Sequence, residues 1–331
     1  MERIQSAIEK ARARRGQTVV KQPDQAVDSS PLEPMTTPEP ERRTKAQEST
    51  APVPQLVGST RAFNPAEEPP RPERSPPAPQ ESQHAGIPPS QNAIDLAWMQ
   101  LTPCSLDAPR LIRKRILTLQ SGVDAVQFDQ LRTKVLQTMR ASQWQRLAIT
   151  SPLPSSGKST LALNLALSLS RQPDLRTVLL EMDLRRPSLA GLLGVKPHAG
   201  IAAWLEGRTQ FSDHAMCWNH NLAILTSTAP VHDTAELLAS RQTADALSRM
   251  EAQYAPDIVI FDMPPILVGD DVMAFTAQID AALIVAAAEE STIKQIDSCE
   301  TELARATNVM GVILNKCQNM GESKNYGYYY G

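Results

Sequence analysis

Four groups of residues in this chain have types and spacings suited to phosphate chemistry. The first is Ser155-Ser156-Gly157-Lys158-Ser159-Thr160. Backbone N–H groups at such a loop and at the helical turn after it carry partial positive charge and point at a bound anion. The pattern makes residues 155–160 candidate ATP contacts, with Lys158 on the β- and γ-phosphates and the Ser159 hydroxyl on Mg²⁺. It is incomplete against G-x-x-x-x-G-K-[ST]. Pro152 stands where the first glycine belongs, and Ser155 stands where many such loops place glycine. Read alone, the stretch is also compatible with a Ser/Pro-rich turn.

Two acids form the second and third groups. Asp262 follows Ile258-Val259-Ile260-Phe261, an apolar run closed by a carboxylate. That is the Walker B arrangement, which holds Mg²⁺ or its water. Asp183 follows Thr177 to Met182, a second apolar run. Two acids near one nucleotide divide the work: one orders the metal shell, the other orients or deprotonates the attacking group. Asp183 is equally suited to capping a helix or pairing with Arg185 or Arg186. The fourth group is aromatic. Of five tyrosines, four lie in the last six residues: Tyr326, Tyr328, Tyr329 and Tyr330. Clustered tyrosines in a polar, Gly-punctuated tail have no packing role, so they read as phosphate acceptors or as a sticky docking peptide.

These residues need strands and helices to bring them together. Leu147 to Thr150 reads as a buried strand entering the phosphate loop, and Leu161 to Leu169 as the helix leaving it. Further strands are expected at Thr177–Met182, Leu222–Leu225, Ile258–Phe261, Ala281–Ala287 and Val309–Leu314. Helices are expected at Ile94–Leu101, Asp124–Met139, Ser188–Leu193, Ile201–Leu205, Thr234–Leu238, Thr243–Tyr254 and Thr292–Ala306. Apolar strands alternating with helices predict an α/β fold with a mostly parallel sheet covered by helices on both faces. Ligands in such sheets bind at the carboxyl ends of the strands, where Asp183, Asp262 and Asn315 fall. Asn315 is a candidate adenine contact.

The chain has 331 residues, which alone would suggest about two domains, but its composition is uneven. Sixteen of 27 prolines precede residue 91, and the only aromatic there is Phe63. Such a stretch buries too little apolar surface to offset its ordering entropy. Residues 16–90 therefore read as a disordered Pro-rich linker. Residues 1–15 read as a short amphipathic helix with Ile4, Ala7, Ile8 and Ala11 on one face. Residues 91–317 read as one catalytic domain, and 318–331 as a flexible tail. A net charge of −3 argues against bulk nucleic-acid binding. The longest apolar run, Ala281 to Ala288, is too short to span a bilayer. The charged N-terminus does not read as a signal peptide. Four scattered cysteines fit reduced thiols in a cytoplasmic protein.

Residues 120–331 resemble the bacterial tyrosine kinases of polysaccharide biosynthesis, in their stand-alone cytoplasmic form. The resemblance rests on Leu-Pro-Ser-Ser-Gly-Lys-Ser-Thr (153–160), Val-Leu-Leu-Glu-Met-Asp-Leu-Arg-Arg-Pro (178–187) and Ala-Glu-Leu-Leu (235–238). It also rests on Ile-Val-Ile-Phe-Asp-Met-Pro-Pro (258–265) and the tyrosine-rich end. It implies a P-loop NTPase fold and autophosphorylation of the tail with ATP and Mg²⁺. Lys158, Asp183 and Asp262 match catalytic positions; Ser159 and Asp262 match metal positions. The implied partners are a membrane-anchored polysaccharide co-polymerase that activates the kinase, further copies of the chain in a homo-oligomer, and a cognate tyrosine phosphatase. The implied location is the cytoplasm, at the inner face of the membrane. The implied role is control of exopolysaccharide or capsule synthesis and export.

Three departures stand out. Ser155-Ser156 replaces the loop's Gly-x. Glu181 replaces the first Asp of a D-x-D pair. The family's ring-forming Glu-x-x-Arg-x-x-Arg falls on Val126, Asp129 and Arg132, keeping only the last Arg. Two other functions fit part of the pattern. One is an ATPase switch like the septum-positioning and chromosome-partitioning ATPases, which carry an extra loop Lys where this chain has Leu153-Pro154. The other is a weakly catalytic scaffold in the polysaccharide machinery.

Overall fold

The computed structural model describes residues 90–317, apart from 197–199 and 228. The expected N-terminal helix, the linker and the tyrosine tail lie outside the described residues.

Eight strands form one sheet: β1 (Thr102–Pro103), β2 (Arg146–Thr150), β3 (Thr177–Glu181), β4 (Met216–Trp218), β5 (Leu222–Leu225), β6 (Ile258–Asp262), β7 (Ala281–Ala287) and β8 (Asn308–Asn315). Their order is β1-β4-β5-β3-β6-β2-β7-β8. Every pairing is parallel except β4 with β5. The six expected strands form within a residue or so of the expected bounds. β1 and β4 are additions. β4 exists because Asn219 and His220 both take positive φ, 51° and 60°, and help close a three-residue hairpin loop, 219–221, onto β5.

The sheet separates two apolar layers because successive strand residues face opposite sides. Leu147 and Ile149 enter one layer while Ala148 enters the other; Leu179 and Ile260 likewise oppose Val178, Leu180, Val259 and Phe261. The helix Lys158–Ser170 is buried from Leu161 through Ser170. It is apolar on all sides because the sheet covers one side and the helix Val126–Ser142 packs on another. Each of its buried leucines contributes about 1.5–3 kcal/mol. The opposite layer holds the helix Arg241–Tyr254 and an aromatic cluster of Trp98, Trp204, Phe211 and Tyr254. The Trp98 indole donates to Tyr254 O at 2.7 Å and so docks the helix Gln91–Met99.

One buried polar residue fixes the phosphate-loop helix from behind. Asn164 donates to Arg115 O and Thr160 O, and its Oδ1 accepts from Leu117 N and the Thr118 hydroxyl. Nearby, Asp129 does not project outward for ring assembly. It accepts from Arg171 and from the Ser168 hydroxyl, and it pairs with Arg132 at 3.5 Å. Asp129 is thus the centre of an ion cluster within the chain.

Candidate nucleotide site

Parallel pairing puts the carboxyl ends of β2, β3, β6, β7 and β8 at one edge of the sheet. The chain turns there from β2 into residues 151–157 and then into the helix beginning at Lys158. Two left-handed residues make that turn: Ser155 at φ 63° and Gly157 at φ 89°. Ser155 thus holds the conformation that its missing glycine would supply, at a cost of about 1–2 kcal/mol. Gly157 has a second constraint, since a Cβ there would collide with the Asn315 side-chain amide. The loop is braced internally by the Ser151 and Ser156 hydroxyls, both donating to Leu153 O at 2.8 and 2.9 Å.

A cavity of about 780 Å³ opens over this loop. Ser155, Gly157, Lys158, Ser159, Thr160 and Asp183 line it. The size lies in the range of small-molecule sites. Lys158 Nζ donates to Asp183 Oδ2 at 2.7 Å, with both side chains nearly buried. Asp183 Oδ1 also accepts from Arg186 N at 3.2 Å. Asp183 therefore pairs with the phosphate-loop lysine, not with its neighbouring arginines. Arg185 turns away to Asp271, which also accepts from Thr234. The Arg186 guanidinium has no partner among the described residues.

Asp262 ends β6, directly opposite Glu181 in the register with β3. Its carbonyl accepts from Met182 N and Asp183 N, both at 2.9 Å, so the sheet ties the two candidate acids together. Its carboxylate is fully buried and neither oxygen has a hydrogen-bond partner. Burial pushes its pKa up to about 7, opposed first by the nearby Lys158 ammonium. An orphaned buried carboxylate beside a serine hydroxyl fits a hard divalent cation bound through oxygen. Ser159 and Asp262 are the residues that would hold Mg²⁺.

Three residues sit differently from a direct reading of the motifs. Glu181 is fully buried and faces backbone rather than cavity. It accepts from Ser188 N, from Leu189 N at 2.7 Å and from Ser227 N at 2.8 Å. Burial raises its pKa, and these three N–H groups oppose the rise. Asn315 reaches the loop: its side chain donates to Ser156 O at 2.9 Å. The Ser156 side chain is buried inside the loop. Neither Asn315 nor Ser156 lines the cavity.

The cavity also includes Lys316, held to Glu290 at 2.9 Å, and a wall of Leu192, Pro264, Pro265 and Val268. Pro264 and Pro265 belong to the motif at 258–265, but nothing in the sequence indicates that they meet Leu192 and Val268 at the cavity. Among the described residues no helix is long and apolar enough to cross a membrane.

The family described as "ParA: NUBPL iron-transfer P-loop NTPase" matches residues 145–326. Tyrosine-protein kinase YwqD of Bacillus subtilis (strain 168) is 28% identical over 215 residues, 64% of this chain and 89% of that protein. Succinoglycan biosynthesis transport protein ExoP of Rhizobium meliloti (strain 1021) is 30% identical over 231 residues, 68% of this chain but 28% of ExoP. Among solved structures, the kinase domain of Escherichia coli tyrosine kinase ETK superposes with a TM-score of 0.55 at 25% identity. That match covers 62% of this chain and 80% of that domain.

Proposed function

This chain belongs to the ParA family of P-loop NTPases, on its bacterial tyrosine-kinase branch, and from that premise we propose that it phosphorylates its own tail tyrosines. The substrates are ATP and Tyr326, Tyr328, Tyr329 and Tyr330. One observation carries the reading: Asp183, a nearly buried acid, lies 2.7 Å from the phosphate-loop lysine. A carboxylate in that place has a use in phosphoryl transfer to a hydroxyl, because it can take the hydroxyl proton beside the γ-phosphate.

Lys158 is shared. Without nucleotide it neutralises Asp183. With ATP bound it turns to the β- and γ-phosphates and frees the carboxylate. The tyrosine oxygen then attacks the γ-phosphorus. The new O–P bond forms as the bond to the β–γ bridging oxygen breaks, ADP leaves with that electron pair, and the phenol proton passes to Asp183. Backbone N–H groups at 155–160 hold the phosphates. Ser159 and Asp262 would hold Mg²⁺, which would supply charge neutralisation to the phosphate oxygens.

Each phosphorylation adds about −1.5 to −2 charge to the tail. Several on one short segment repel each other and drive it from the site. The biological reading is control of polysaccharide synthesis or export, supported by the names of relatives such as ExoP. A membrane co-polymerase that activates the kinase, assembly with further copies of the chain, and a phosphatase that resets the tail belong to the same proposal. Purified Lys158→Met protein incubated with Mg·ATP tests it: the variant gains no phosphotyrosine if Lys158 holds the phosphates as described.

A further inference from the structure

The cavity over the phosphate loop is built from two chemically different parts. One is the loop itself, all backbone N–H, hydroxyl and ammonium. The other is the apolar wall of Leu192, Pro265 and Val268. Phosphates have no use for such a wall, but a planar ring has. The two rings to be placed are the adenine of ATP and the phenol of an acceptor tyrosine, and the phenol is the one that must also reach Asp183. Val268 is 56% exposed, a large apolar side chain left in water within a nucleotide site. Looseness does not explain this. Ile266 N donates to Ser151 O at 2.9 Å, Leu267 N to Pro152 O at 3.3 Å and Val268 N to Pro265 O at 3.2 Å. Thr150 fixes the same segment through Pro264 O at 2.7 Å. The segment after β6 is thus pinned to the phosphate loop and holds Val268 in place. Asp183 lines the same cavity as both parts, with its carboxylate held by Lys158 Nζ and by Arg186 N.

We propose that Leu192, Pro265 and Val268 form the subsite that holds the ring of the acceptor tyrosine, directing its hydroxyl to Asp183. The occupant is a tyrosine of the 326–330 cluster. A tyrosine side chain has an apolar body and one polar tip, and this half of the cavity offers an apolar wall beside one acid. The length of the connecting sequence permits it. Lys316 lines the same cavity, and Tyr326 follows ten residues later, a span of at most about 36 Å. The inference rests on the kinase reading above, and it adds which residues select the acceptor.

The test uses the full chain with Tyr326, Tyr328, Tyr329 and Tyr330 all changed to Phe, supplied with Mg·ATP and a synthetic peptide of residues 325–331. Adding Val268→Ser should raise the KM for peptide about tenfold, as expected for losing one aliphatic contact. The KM for ATP should not follow it, and Val268→Ile should restore the peptide KM. Val268 is exposed, so folding is not at stake. Peptide phosphorylation with an unchanged peptide KM in Val268→Ser would overturn the subsite and leave the kinase reading intact. So would equal rises in both KM values. No phosphotyrosine on peptide or on unsubstituted protein would overturn both.

Discussion

The Asn315 side-chain amide donates to the Ser156 carbonyl across 2.9 Å and fills the space a Cβ on Gly157 would need. The last strand of the sheet thereby holds the phosphate loop, and the sequence that follows this strand carries the tyrosine cluster. Loop and tail root are mechanically joined.

That contact gives the first prediction. Asn315→Ala removes one hydrogen bond, worth about 1 kcal/mol, and should raise the KM for ATP about fivefold. Asn315→Asp should do worse, because it sets a carboxylate against the Ser156 carbonyl. Steady-state kinetics with ATP varied will check both. An unchanged KM in Asn315→Asp would mean the contact does not hold the loop.

Lys158 and Asp183 touch, yet their losses should differ. Lys158→Met should lose nucleotide affinity. Asp183→Asn keeps a neutral isostere in place, so it should bind a fluorescent ATP analogue while losing about 10²-fold or more in transfer rate. Equal loss of binding in both would assign Asp183 to the nucleotide rather than to the acceptor hydroxyl.

Asp262 sets a pH dependence of stability. Burial raises its folded pKa from 3.8 to about 7. The folded protein therefore holds a proton that the unfolded chain has already released. That stabilisation is complete below the unfolded value and lost as pH rises to about 7. Asp262→Asn lacks this titration. Without nucleotide, the variant should melt above wild type at pH 8 and close to it at pH 4. Mg·ATP should narrow the gap at pH 8 by giving the carboxylate a counter-charge. Melting curves at the two pH values are sufficient, and a gap independent of pH would contradict the assignment.

Glu181 is a structural residue in this chain. Its two oxygens accept from three backbone N–H groups. Glu181→Ala strands all three and should cost about 3 kcal/mol or more. Glu181→Asp, although closer to the family pattern, is one methylene short and should also destabilise. Urea unfolding midpoints will show this, and a stable, fully folded Glu181→Ala would refute it.

The sequence made the central strands and the strand-end chemistry legible for a physical reason. Apolar runs such as Ala281–Ala287 are buried on both sides, and the residue after each run must fall at the ligand edge. The hairpin at β4 was hidden because His220 occupies a positive-φ turn position usually marked by glycine. The two short helices Ala108–Arg113 and Asp271–Phe275 are too brief to show periodicity. Within the site, residue type revealed Lys158, Asp183 and Asp262, but not partner choice. Whether Asp183 paired with Lys158 or with Arg185 depended on β3 lying two strands from β2, with β6 between them. Glu181 read only as a replacement for the first Asp of a D-x-D pair, because nothing local discloses that Ser188, Leu189 and Ser227 converge on it. The wall of Leu192, Pro265 and Val268 joins the short helix Leu189–Leu193 to the loop after β6, and nothing local discloses that the two converge.

The most direct measurement is phosphotyrosine mapping by mass spectrometry on full-length protein incubated with Mg·ATP. It should be run with and without the cytoplasmic peptide of a candidate membrane partner. Phosphate is expected on Tyr326, Tyr328, Tyr329 or Tyr330, and its absence is expected in Lys158→Met. ATP hydrolysis with no modified tail tyrosine under either condition would contradict it and identify the protein as an ATPase switch.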